Sequence, residues 1–265
     1  MTLLTIITVV KNNSKEILKT LESINNQQFD DFEYIIIDSN SNDGTSEIIK
    51  NFKFKKKFTY LREKDNGIYQ GLNKGIKISS GKFISVLHSG DFFYSDNTLE
   101  NIASQFDDND IIFGDIAYYS DLKINRIWKF RQNNKEFINP FKIAHTSLFV
   151  KKKLFNTKGF YKENFKISSD FDFLLRIKQE KLKFAEIPNI VIFMKSGGKS
   201  FSLNNFFLKM KEDLNILFNY FNFLFAIFYL YKLFIKIKSL RIFLNKQELK
   251  ILEKQLKTKI NRKLD

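Results

Sequence analysis

The sequence predicts an α/β fold, an open, mostly parallel, Rossmann-like sheet flanked by helices. Three observations predict it. Residues 5–10 and 34–37 are short, β-branched, unbroken apolar runs, the pattern of strands buried on both faces. Between them Ile17, Leu18, Leu21 and Ile24 recur at helical spacing behind Ser14, a candidate cap. Strand, helix and strand in so short a stretch form a βαβ unit, which demands parallel pairing.

The remaining elements follow in order. A polar turn at residues 38–45 leads into a helix through Ile48 and Ile49, and a third strand fits residues 58–61. Residues 68–79 read as a helix that Gly81 ends, residues 83–87 as a fourth strand and residues 110–114 as a fifth. The second half is less regular: Trp128, an apolar stretch at 143–150, and an amphipathic helix at 171–179. Only Pro140 and Pro188 are present, so no proline-rich linker marks a boundary. The composition changes near Ser200, which divides the chain into a domain at 1–200 and a helical tail at 201–265.

Composition narrows the chemistry. The chain has 265 residues, 43% of them hydrophobic and 28% charged, enough for one large domain or two small ones and not the mix of a disordered chain. It has no cysteine, which excludes disulfide scaffolds, thiol nucleophiles and cysteine-based zinc sites. Two histidines, His88 and His145, are too few for a histidine-rich metal cage. The net charge of +15 points to a polyanionic partner. Residues 232–265 carry +8 of it, leaving +7 for the preceding 231 residues. Just before lies an aromatic helical run, 214–231, with Phe218, Phe221, Phe223 and Phe228 beside a drifting polar stripe of Asn215, Asn219 and Asn222. A spanning helix needs about 20 apolar residues in a row, and the asparagines interrupt this one. The expectation is a helix in the membrane interface with a polybasic segment facing anionic lipid. Packing on the domain, or a dimer seam, is the alternative. Residues 3–10 lack a preceding basic residue and a cleavage site, so a secretory signal is not expected.

Two strands end in acidic polar loops, residues 38–45 and 88–91. In open α/β sheets ligands bind beyond the carboxyl ends of strands, where acids receive a base, a ribose or a cation. Lys11-Asn12-Asn13 stands where a glycine-rich dinucleotide loop would follow the first strand, and no phosphate-binding P-loop motif exists. What remains is a nucleotide site made by acidic loops.

Five segments in order then resemble the GT-A glycosyltransferases of family 2. They are Thr8-Val9-Val10-Lys11-Asn12, the 37–45 loop, the 65–75 run from Asp65-Asn66-Gly67 to Gly75, Leu87-His88-Ser89-Gly90-Asp91, and Ser168-Ser169-Asp170-Phe171-Asp172 with Arg176. The resemblance covers about residues 3–200 and is nearest the branch that builds bacterial surface polysaccharides, lipopolysaccharide and lipid-linked glycans. It implies that Asp38 reads the uracil and ribose of a nucleotide-sugar, while backbone at Val9 and Val10 holds the base edge. It places Asn40, Asp65, Asn66, Gly67, Asn73 and Lys74 among the donor-binding residues, with Lys74 able to meet the diphosphate. It implies that Asp91, last acid of a DxD-type motif, binds Mn²⁺ or Mg²⁺. His88 and Gly90 replace carboxylates often found there, with Ser89 between them, so one acid remains. Gly90 lets backbone approach the sugar or phosphate closely. Asp170 matches the general base of an inverting displacement. Ser169 stands where a Glu is common, Asp172 is a rival base, and Arg176 orients either acid or meets a phosphate. His145 is placed for phosphate or acceptor contact.

The resemblance thus implies a glycosyltransferase at the cytoplasmic face of the membrane, moving a sugar from a nucleotide-diphosphate donor to a lipid-linked or cell-surface glycan. Two rivals remain. A basic nucleic-acid-binding module fits the charge, but no nucleic-acid motif occurs and acidic strand ends repel phosphate. A nucleotidyltransferase of similar fold calls for a basic glycine-rich loop that is missing here. Simpler structural roles also fit single residues: turns and caps for Asp38, Asp43 and Asp91, and a helix-dipole partner for Asp170.

Overall fold

The computed structural model describes residues 2–129, 139–178, 181–197, 203–240 and 246–261. Its first half is the expected βαβ layer. Strands β1 (Leu4–Val10), β2 (Phe32–Asp38), β3 (Phe58–Arg62) and β4 (Phe83–Val86) pair in parallel in the order β3-β2-β1-β4. Val10 lies opposite Asp38, so the first two strands end level. β1 and β2 are buried almost throughout because helices cover both faces. Alternation sends Ile7, Ile35 and Ile37 to a core with Leu72 and Ile76 of α3 (Ile68–Ile78), and Ile6, Tyr34 and Ile36 to another with Ile17, Leu21 and Ile24 of α1 (Ile17–Asn25). Helix α2 (Thr45–Asn51) follows the 38–44 turn.

The second half is mixed. It comprises β5 (Phe92–Phe93), α4 (Thr98–Ala103), β6 (Ile111–Ser120), β7 (Lys123–Trp128), β8 (Leu148–Lys151), α5 (Lys152–Lys158), α6 (Ser169–Ile177) and β9 (Phe184–Lys195). β8 joins the halves, antiparallel to both β4 and β6, while β9 runs parallel to β6 and antiparallel to β5. β6 and β7 form a hairpin closed by Asp121 and Leu122, both in the left-handed region. Pro188 sits where the β6–β9 register slips, between Ile187 and Ile190, a bulge that absorbs its missing N–H.

The C-terminal segment is three helices: α7 (Leu203–Phe221), α8 (Phe225–Leu240) and α9 (Lys246–Asn261). The continuous helix expected at 214–231 is broken, because Asn222 takes φ 47° and opens a 3₁₀ turn at Asn222–Leu224. α7 buries Ile216 and Leu217 against Phe141, Phe165, Phe171 and Leu175. α9 buries Leu252 and Leu256 against Phe92, Ala117, Tyr119, Ile127 and Phe193. Several of the most exposed apolar side chains lie around the α7–α8 junction and along α8: Phe223 is 83% exposed, Leu230 64%, Ile227 63% and Phe234 62%; Phe207 near the start of α7 and Ile251 of α9 are also exposed. No described helix is long and apolar enough to cross a membrane.

Candidate active site

The loops beyond the parallel strands are stitched together by the segment that replaces a glycine-rich turn. Asn12 donates its N–H to Ser41 Oγ at 2.9 Å and accepts from the Asn42 N–H at 2.9 Å. Asn13 donates its N–H to Thr45 Oγ1 at 2.8 Å and its Nδ2 to Ser89 Oγ at 2.8 Å. Residues 12–13 lie just beyond Val10, after Lys11, so the end of β1 is tied to the loops after β2 and β4.

Asp38 is the last residue of β2, anchors the loop that follows and is fully buried. Its Oδ1 accepts from the Ser41 N–H at 2.9 Å; Oδ2 accepts from Ser46 Oγ at 2.5 Å and Tyr60 OH at 2.7 Å, with Arg62 Nε 4.0 Å away. Burial raises its proton affinity, but these hydrogen bonds outweigh burial and hold the carboxyl below its ordinary range. Asn40 takes φ 55° to close this turn. Asp65 accepts from Ser39 Oγ at 2.7 Å and the Gly67 N–H at 3.2 Å through Oδ1, while its Oδ2 is buried without a partner. The Asn66 N–H donates to Gln70 Oε1, fixing the entry to α3.

The loop after β4 carries the second group. Gly90 takes φ 100°, its N–H bonds Thr20 Oγ1 of α1, and its carbonyl accepts from Tyr119 OH at 2.8 Å. Asp91 is buried, with Oδ1 accepting the Lys195 N–H at 2.9 Å and Oδ2 unpartnered. Burial pushes this carboxyl up to about 7, against the lowering effect of the Lys195 N–H. His88 Nε2 lies 2.8 Å from His145 Nε2, and burial drives the His88 imidazole down to about 3.

His145, in a 3₁₀ turn at His145–Ser147 before β8, places Nδ1 2.8 Å from Asp170 Oδ2. Tyr69 of α3 lies with its hydroxyl 2.8 Å from Asp170 Oδ1 and 2.6 Å from the Ile167 carbonyl. Burial raises the Asp170 carboxyl, but the His145 imidazole and the Tyr69 hydroxyl hold it well below the usual range. Asp170 sits in the first turn of α6, where the helix dipole also favours an anion. The result is a hydrogen-bonded line, Tyr69–Asp170–His145–His88, running from α3 to the β4 loop.

Other expected site residues lie in structural networks. Asn73 clamps Tyr161, donating to its carbonyl at 2.8 Å and accepting its N–H at 3.0 Å. Lys74 pairs with Glu63 at 3.0 Å. Arg176 pairs with Asp172 at 2.9 Å and caps the end of α5 through the Lys158, Gly159 and Phe160 carbonyls. Asp172 also binds Lys162 at 2.8 Å. Three residues outside the expected set make hydrogen bonds with site residues: Asn13, Tyr69 and Lys195. Tyr69 and Asn13 belong to or adjoin the motifs; Lys195 comes from a distant element and leaves no local signal.

Among the described residues no three acids or histidines are grouped to hold a metal. Asp91 fits one position of a divalent cation: its buried carboxylate keeps an orphaned oxygen, as Asp65 does in the neighbouring loop, and such an oxygen is a hard ligand. A diphosphate would have to supply further ligands.

This sheet, with acidic loops over the ends of its parallel strands and helices on both faces, is the fold of a GT-A glycosyltransferase. TarS of S. aureus, residues 1–349 in complex with UDP, superposes with a TM-score of 0.61 at 17% identity, over 82% of this chain and 66% of that one. The mannosyltransferase PcManGT of Pyrobaculum calidifontis, in complex with GDP-Man and Mn²⁺, gives 0.59 at 14% identity, over 97% and 69%. Residues 5–174 match Glycosyl transferase family 2, and the chain belongs to that family of nucleotide-sugar-dependent enzymes. The PGL/p-HBAD biosynthesis glycosyltransferase of Mycobacterium bovis is 26% identical over 187 residues, 68% of this chain and 72% of that protein. A glycosyltransferase of Methanocaldococcus jannaschii is 28% identical over 204 residues, 72% of this chain and 69% of its own length.

Proposed function

We propose that the protein transfers a sugar, with inversion, from a nucleoside-diphosphate sugar, UDP-linked for preference, to a hydroxyl of a lipid-linked or cell-surface glycan. The observation that carries the reading is the Asp170–His145–His88 line meeting the loop of Asp91, whose free oxygen needs a cation. The loops at Asp38, Asn40 and Asp65–Gly67, with Val9 and Val10, hold the nucleoside; Asp38 shapes that pocket through its turn. Asp91 would hold a divalent cation, Mn²⁺ or Mg²⁺, which would supply positive charge to the departing diphosphate. Ser89 and Gly90 line the approach to it. Asp170 takes the proton of the attacking hydroxyl, acting with His145 as one unit: the imidazole steadies the carboxylate and shares the proton.

The exposed apolar side chains of α8, followed by a basic segment, suit the surface of an anionic membrane, on the inner face where such an acceptor is presented. Titration calorimetry with UDP, UDP-GlcNAc and GDP-mannose, with and without Mn²⁺, tests the donor reading. Binding of a nucleotide-sugar that strengthens with Mn²⁺ is expected. A folded protein that binds none of them overturns it.

A further inference from the structure

Three consecutive backbone N–H groups, those of Lys166, Ile167 and Ser168, donate to a single carboxylate. It belongs to Glu212, in the middle of α7, with distances of 2.8, 3.0 and 2.9 Å. Glu212 is buried, and these N–H donors are what make an acid tolerable there. Ser168 is the residue before α6, and Asp170 follows two positions later. The Ile167 carbonyl, inside the gripped turn, faces the same Tyr69 hydroxyl that approaches Asp170. The turn is therefore held from α7 on one side and from α3 on the other. Ile216 and Leu217, one turn beyond Glu212, pack on Phe171 and Leu175 of α6 and set the rotation of α7 that aims the carboxylate. Lys209, one turn before, places Nζ 3.4 Å from Ser168 Oγ.

We infer that Glu212 is a positioning residue for sugar transfer: it fixes the 166–168 turn so that Asp170 meets His145 in the productive orientation. The inference rests on the reading of Asp170 as base. It makes α7, which lies beyond the residues matched to the family, part of the active site and not a detachable tail. Small displacements of a catalytic group are enough to lower a rate severely while leaving binding intact, because attack requires near-ideal geometry. The donor loops at residues 38–45 and 65–67 are far in sequence from this turn, so nucleotide binding should not register the loss.

The experiment compares full-length wild type, Glu212→Ala and Glu212→Gln. It measures hydrolysis of UDP-GlcNAc or GDP-mannose, backbone amide exchange at residues 166–168, and ¹⁵N shifts of the two imidazoles. The presence of only two histidines makes the His145 signal assignable. For Glu212→Ala, kcat should fall about tenfold or more with KM for the donor changed less than about threefold. The three amides should exchange faster, and the His145 signal should depart from its Asp170-bonded position. Glu212→Gln keeps one acceptor oxygen and should fall between. An unchanged kcat, or KM rising in step with the loss, overturns the inference. If wild type neither binds nor hydrolyses either donor, the functional reading fails, and the imidazole and amide signals still decide: an unmoved His145 signal in a variant with freed amides refutes the positioning role. If the Ala variant does not fold, the Gln variant is judged by the same readings.

Discussion

Asp170 Oδ2 and His145 Nδ1 stand 2.8 Å apart, and the far nitrogen of the same imidazole stands 2.8 Å from His88. A carboxylate from the second half of the chain is thereby joined to the loop that follows β4. Both oxygens of Asp170 are engaged, one by the imidazole and one by the Tyr69 hydroxyl. A carboxylate held so firmly is a weak base alone. Its hydrogen bond to His145 gives the abstracted proton a second place to rest.

Asp170→Asn keeps the shape but removes the charge. It should lower kcat for donor turnover by about 10²–10⁴-fold. His145→Gln leaves the carboxylate in place and should cost less, about 10–100-fold. Calorimetric donor affinity should stay within about threefold for both. Equal turnover by wild type and Asp170→Asn would remove Asp170 from the reaction.

Asp91 supplies a pH test. Its folded pKa, about 7, lies above its unfolded value near 3.8. Between those values the folded state holds the proton and the unfolded state does not, so stability declines as pH climbs from about 4 to about 7 and levels off above. In EDTA at pH 8, Asp91→Asn should raise Tm by about 2–4 °C, the shift expected for about 1 kcal/mol in a chain of this size. The gain should shrink toward pH 4.5. With Mn²⁺ present the same variant should lose metal-strengthened donor binding. A Tm difference independent of pH sinks the assignment of a buried, uncompensated charge.

How much of this arrangement was legible beforehand differs by element. The parallel half was, because buried strands and helices each leave their own period, and Ile6 and Ile7 could be assigned to opposite faces by alternation alone. The order of acidic loops pointed to the correct strand ends. The β6–β7 hairpin was not legible, since Asp121-Leu122 puts a leucine where turn chemistry favours glycine. Nor was β9, whose run is interrupted by Pro188 at a bulge. Asn73 looks like a site residue in sequence yet spends its hydrogen bonds on Tyr161, while Arg176 meets Asp172, one of the two acids it is expected to orient, and also the end of α5. Glu212 was invisible because its partners are backbone N–H groups more than forty residues away, and backbone donors leave no trace in side-chain patterns.

His88 runs the opposite way to Asp91. Its folded pKa is pushed down to about 3 from about 6.5, so the unfolded state binds the proton first. The stability that neutral His88 contributes is present above about pH 6.5 and is lost as pH falls toward 3. Wild type should therefore show a steep acid limb in thermal melts between pH 6.5 and 4. His88→Gln should flatten that limb, with the gap between the two proteins narrowing as pH falls. A gap constant from pH 8 to 4 would falsify the buried neutral imidazole.

The outer face of α8 makes the last prediction. Phe223 of the Asn222–Leu224 turn and Ile227, Leu230 and Phe234 of α8 are each more than half exposed, which leaves a large apolar surface in water. Because these side chains touch little, replacing three of them with serine should shift Tm by no more than about 2 °C, as for ordinary surface changes. If the face enters the headgroup region of a bilayer, the same change removes most of the buried apolar area, and association with vesicles of anionic lipid should weaken by about tenfold or more. Raising salt should weaken what remains, since the basic residues beyond Lys232, which itself pairs with Asp213 at 2.8 Å, act through screened attraction. Flotation on anionic and on zwitterionic vesicles reads both effects. Equal recovery of wild type and the triple variant on anionic vesicles means that α8 is covered by something other than lipid.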